Sequence, residues 1–198
     1  KLLQSLSPIV DCGVHYLDVM CQITRAKAVR VNALGARLTG QMAGVEIPAG
    51  MYNYGHLQVA FDDGSVGWYE AGWGPMMSET AFFVKDVIGP KGSVSIVVAE
   101  TGNTGTKSAD INTHTKTNRI LLHHADLAAD GTLAKKDETF DTKDEPTHDD
   151  LCEREQRYLL KAIRENVDLS DHMADAIRSL RIALAAGRPA RQRKIVER

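Results

Sequence analysis

Ser7-Pro8-Ile9-Val10-Asp11-Cys12-Gly13-Val14-His15-Tyr16-Leu17-Asp18 is the stretch whose reading decides how this chain folds. Serine is a good helix cap, and proline at the first helical position gives up no needed hydrogen bond. Val10, Val14, Leu17 and Cys21 then recur at i, i+4, i+7 and i+11, which is one apolar face. Asp11, His15, Asp18 and Gln22 form a polar stripe beside it, and the spacing predicts a helix over residues 8–23. Asp11 and His15 stand one turn apart, close enough to touch. A base held beside a carboxylate is the minimum equipment for moving a proton. The same pair on a solvated face would be a surface contact worth about 0.2–0.5 kcal/mol. Gly13 costs about 1 kcal/mol inside a helix, so its presence points to a close approach by a backbone, a ligand or the sheet.

Beyond this helix the pattern turns to strands, over residues 27–127. Residues 28–39 alternate and are β-branched. Residues 55–61 and 66–73 flank Asp62-Asp63-Gly64-Ser65, a hairpin with Asp-Gly at its tip. Residues 81–88 and 93–98 flank Gly89-Pro90-Lys91-Gly92, a second hairpin, and residues 118–127 form another strand before the Asp130-Gly131 turn. The Thr, Asn, Gly and Ser-rich residues 99–117 read as a long exposed loop. Residues 135–150 carry seven acids against three lysines and read as a solvated connector. Two helices close the chain. Asp149 or Asp150 caps the first, whose apolar face is Leu151, Tyr158, Leu159, Ala162 and Ile163. Ser170 caps the second, with Met173, Ile177, Leu180 and Leu184 at helical spacing and Gly187 as its stop. Helix, hairpin-joined strands, then helices is an α+β order, with an antiparallel sheet covered by helices on one face. Residues 1–198 are expected to form a single domain for substrate binding and assembly.

Composition narrows the function. A net charge of −2 argues against nucleic acid or a membrane surface as partner, and the basic tail residues Arg188, Arg191, Arg193, Lys194 and Arg198 read as a solvated end. No run of about 18 apolar residues suggests a membrane span. Cys12, Cys21 and Cys152 are an odd number without CxxC spacing, so they read as free thiols in a reducing compartment, by default the cytosol. His123 and His124 are neighbours on a strand and point to opposite faces, so they do not share a metal. No zinc or calcium pattern is present, and no metal is expected. Trp68, Tyr69 and Trp73, among Gly67, Gly72 and Gly74, suit sugar stacking, but an apolar sheet face must also be covered by packing or by a subunit.

The run from Asp11 to Asp18 resembles the signature helix of the Gfo/Idh/MocA family of NAD(P)-dependent oxidoreductases, which act on sugars, inositols and related polyols. Phe83-Val84-Lys85-Asp86-Val87-Ile88-Gly89-Pro90-Lys91-Gly92-Ser93 resembles the family's strand-turn-strand ending in Gly-x-x-Gly-Ser. Glu155, Tyr158, Leu159, Ala162 and Ile163, then Asp175-Ala176, Leu180 and Ile182-Ala183, resemble its two C-terminal helices. The family joins an N-terminal Rossmann domain to a C-terminal α+β domain, and this chain resembles the second alone. It has no GxGxxG turn for a pyrophosphate and no Glu-Lys-Pro motif. Ser5-Leu6-Ser7-Pro8 also stands where the family often has a glycine cluster. The chain, which begins at Lys1, reads as the second half of something longer.

The resemblance implies that His15 is the acid/base toward a substrate hydroxyl and that Asp11 orients His15 or a neighbouring hydroxyl. Trp73 is a further candidate contact to a sugar or polyol. NAD or NADP would be bound mainly by the absent nucleotide domain, so the chain alone should be inactive. The resemblance also implies a homo-oligomer through the sheet face. The rival expectation is a non-catalytic module that binds a carbohydrate or only assembles subunits.

Overall fold

Ser7 begins the first helix as its position predicts: its hydroxyl accepts from the Val10 N–H at 3.3 Å, and Pro8 follows it. The helix is not continuous over 8–23, however. It divides into α1 (Pro8–Asp11) and α2 (Gly13–Thr24), with Cys12 between them still in the right-handed region. There the His15 N–H reaches the Cys12 carbonyl at 3.3 Å, an i to i−3 bond that tightens the turn locally.

The computed structural model describes residues 6–42, 44–73, 86–97, 119–142 and 144–192. The chain divides into two units, Lys1–Met76 with Val167–Arg198, and Met77–Asn166. In the first unit β1 (Ala28–Ala36), β4 (Tyr54–Phe61) and β5 (Val66–Gly72) form an antiparallel sheet in the order β1-β4-β5. A short ladder that the sequence pattern did not announce, β2 (Gln41–Met42) with β3 (Val45–Glu46), lies in the excursion between β1 and β4. The Asp62–Ser65 hairpin forms as expected, with Gly64 at φ 87° and the Phe61 N–H on the Ser65 carbonyl at 3.0 Å.

Alternation then sorts the sheet's faces, because successive side chains on a strand point opposite ways. Leu57, Val59, Phe61, Tyr69 and Ala71 point to the buried side with Ala33. Ile9, Leu17 and Cys21 from the first two helices meet them, together with Ile182, Ala183 and Ala186 from α4 (Ser170–Gln192). This is the expected architecture, α+β with an antiparallel sheet and helices on one face.

The second unit holds a four-stranded antiparallel sheet, β6 (Asp86–Gly89), β7 (Gly92–Val97), β8 (Arg119–His124) and β9 (Glu138–Asp141), in that order. Gly89 pairs with Gly92 across the Pro90-Lys91 turn. Gly92 has φ 140°, and a Cβ there would lie 1.9 Å from the His123 carbonyl oxygen, so only glycine fits. The strand β9 corrects the reading of residues 135–150 as connector: Thr139 and Phe140 sit opposite Leu121 and Ile120, and a ladder partner outweighs an acidic composition. Of the expected strand 81–88, residues 81–85 lie outside the described residues, as does the expected loop 99–117.

The helix ends carry further corrections. Thr147, not Asp149 or Asp150, caps α3 (His148–Glu165), while Asp150 closes a capping box by reaching back to the Thr147 N–H at 3.0 Å. Ser170 is itself helical, and its N–H is taken by the Asp168 carboxylate at 2.9 Å. Gly187 does not stop α4, which continues to Gln192. Gly187 is half-buried, with Val10 Cγ2 3.8 Å from where its Cβ would be, so packing against α1 offsets its weak helix propensity. The expected apolar face of α3 is buried only at Ala162, whereas Leu151, Tyr158, Leu159 and Ile163 are exposed.

Candidate functional site

The site is built where α1 gives way to α2 against the end of β5. Gly13 is buried, and a Cβ on it would stand 2.9 Å from Cε1 of Tyr69. Its lack of a side chain lets the helix lie against that ring, which settles in favour of sheet packing the question its presence raised. Tyr16 stacks on Tyr69 with centroids 5.0 Å apart and planes at 26°. Two tyrosine rings thus form the floor beneath Asp11 and Cys12.

The polar stripe of the helix serves two purposes. Asp18 accepts from the buried Ser179 hydroxyl at 2.9 Å, and Gln22 donates to Asp175 at 3.1 Å, so its C-terminal part fastens α2 to α4. Asp11 and His15 take no part in that seam. Asp11 is half-buried and His15 exposed. Among the described residues no hydrogen bond joins them; the partner of the Asp11 carboxylate is the Cys12 thiol, 3.9 Å away. His15 is therefore reachable from solvent, four residues beyond Asp11 and not hydrogen-bonded to it.

Trp73 completes the group. Its N–H donates to the Asn53 carbonyl at 2.9 Å, just past the end of β5. Asn53 is fully buried and spends its other polar atoms as well: Oδ1 accepts from the Leu38 N–H at 2.8 Å and Nδ2 donates to the Thr39 carbonyl at 3.3 Å. The Trp73 side chain in turn lies close enough to the Cys12 sulfur to act on its thiol. Cys12 keeps an exposed surface as a residue, but its sulfur lies among its neighbours. Burial first, then the Asp11 charge, push this thiol above its ordinary value, with Trp73 acting the other way. Cys12 therefore stays a protonated thiol at neutral pH and a poor nucleophile. Burial likewise raises the Tyr16 and Tyr69 phenols, which remain neutral. The structure thus brings Trp73 to the same helix start as Asp11, a juxtaposition that a separation of 62 positions conceals in the sequence. Asn53 was not singled out, and Tyr69 was named only within the aromatic cluster suited to sugar stacking or sheet packing. Only the alternation around Trp68 hinted that Tyr69 points inward.

The other candidates lie elsewhere. Trp68 sits on the opposite, outer face of the sheet, 61% exposed, with its indole edge-on to His56 (centroids 5.8 Å apart, 77°). His56 stands 3.6 Å from Glu70, which also accepts from the Tyr54 hydroxyl and pushes that phenol up to about 12. His123 and His124 each pair with a carboxylate: His123 Nδ1 lies 2.8 Å from Asp137 and His124 Nε2 2.6 Å from Glu138. Among the described residues, no group of three or more His, Cys, Asp or Glu side chains could hold a metal ion. No described helix is long and apolar enough to cross a membrane.

No family model and no curated protein matches the chain. Solved structures do. A provisionally named NADPH-dependent oxidoreductase from Desulfitobacterium hafniense superposes with a TM-score of 0.62 at 17% identity, over 94% of this chain and 46% of that one. The aldose-aldose oxidoreductase of Caulobacter crescentus, solved with glycerol, gives 0.57 at 16% identity, again over 94% and 46%. A super-repressor mutant of Gal80p from Saccharomyces cerevisiae gives 0.59 at 12% identity, over 96% and 49%. At these identities the likeness is one of fold. The chain spans about half the length of each structure it matches, and these neighbours are of the Gfo/Idh/MocA type. The resemblance read from residues 11–18 and the closing helices therefore holds for the fold, and for the C-terminal half of it.

Proposed function

We propose that this chain is the substrate-binding and catalytic half of an NAD(P)-dependent dehydrogenase for a sugar or polyol, of the inositol type, working in the cytosol. The observation that supports the proposal is that His15 is exposed on the helix that follows Asp11 and Cys12, with Trp73 brought close to Cys12 at that helix start. In this reading His15 takes the proton from a substrate hydroxyl as hydride leaves the same carbon. A histidine titrates near neutrality and suits that exchange. Asp11 orients His15 or a neighbouring hydroxyl, and Trp73 offers a face to the ring of the substrate. NAD or NADP, held mainly by a separate nucleotide-binding domain, supplies the hydride acceptor. The outer sheet face, with Leu34, Val66 and Trp68 exposed, pairs with a second copy. The neighbours named as oxidoreductases support the general kind of activity.

The likeness to Gal80p, whose name is that of a repressor, favours keeping the second reading in view: a binding or assembly module without catalysis. One experiment tests the substrate assignment, and a polyol response that His15→Ala leaves unchanged favours the second reading. Trp68→Phe leaves Trp73 as the chain's sole tryptophan, so its emission reports on the site directly. Polyols should change that emission saturably. His15→Ala should leave the fold intact while weakening the response, and NAD with polyol should yield no NADH from the chain alone. A folded chain whose Trp73 ignores every sugar and polyol tested overturns the substrate assignment. NADH formation by the unaided chain overturns the need for a second domain.

A further inference from the structure

We draw no further inference here: the strongest candidate, the outer face of the three-stranded sheet carrying Tyr54, His56, Trp68 and Glu70, restates the pairing of copies already proposed, and nothing in the structure shows what else would cover it.

Discussion

The two units of this chain solve the problem of a sheet in different ways. In the first, one face of β1-β4-β5 is sealed by α1, α2 and α4, and residues such as Leu57, Val59 and Leu17 have no exposed surface at all. In the second, Ala162 is the one described residue that is fully inside, and Ile88, Leu127 and Phe140 stand open. The described strands of the second sheet are joined by ladder hydrogen bonds and by cross-strand pairs such as His124 with Glu138, contacts worth about 0.2–1 kcal/mol each. The contrast shows where precision is available. A group that must be held to a fraction of an ångström belongs on the unit with the packed core, and the residues proposed for the site, Asp11, His15 and Trp73, are found there.

The comparison can be broken most directly by Leu57→Ala. It removes a side chain buried at the centre of the first unit and should cost about 3 kcal/mol in urea unfolding. A loss under about 1 kcal/mol would mean that the core is not what holds the helices to the sheet. Gly13→Ala comes next. Helix propensity alone would gain about 1 kcal/mol. The new Cβ, however, meets the Tyr69 ring, and overpacking of this kind costs about 1–3 kcal/mol, so the net effect should be destabilising. A stabilised variant would show that the ring is free to move and that the floor of the site is soft.

Smaller effects belong to the second unit. Thr147→Ala should lower the stability of α3 by about 1 kcal/mol, read as faster amide exchange in its first turn, with the core of the first unit unaffected. Acid should act on the same cap. Bonds from the Thr147 side chain and then its backbone hold the Asp150 carboxyl below the usual range. A depressed folded-state value means that the cap's contribution is present above the unfolded value of about 3.9 and is lost as pH falls through the folded one. Protection of the Thr147 amide should thus fade on acidification below about pH 4, and Asp150→Asn should flatten that dependence. Ile88→Ala, at a position 81% exposed, should change stability by less than about 0.5 kcal/mol, and a larger loss would reveal packing that the exposure does not suggest.

How much of this was legible beforehand depended on the range of the interaction involved. The serine cap of α1 and the glycine-tipped hairpins follow from contacts a few residues apart, and each stands where the spacing puts it. The strand β9 was hidden because its residues are exposed and acidic, and their reason for extending is a neighbour at positions 119–122. Thr147 outcompeted the nearby aspartates as cap because the reciprocal bond with Asp150 requires the hydroxyl at that position. Gly187 could not end α4 while the helix still had a partner to pack on.

By itself, then, the amino-acid sequence determined the α+β order, the helix that presents Asp11 and His15, and the alternation that faces Leu57, Val59 and Tyr69 inward. These depend on local backbone preference and on the periods of helix and strand, which any chain carries in its own residues. Only the tertiary structure decided that Asp18 and Gln22 leave the stripe to clamp α4, that Gly13 exists for Tyr69, and that Asn53 delivers Trp73 to the helix start. Those outcomes join residues 56 to 161 positions apart or depend on a strand register that a single shift would invert, and no local pattern encodes such a distance.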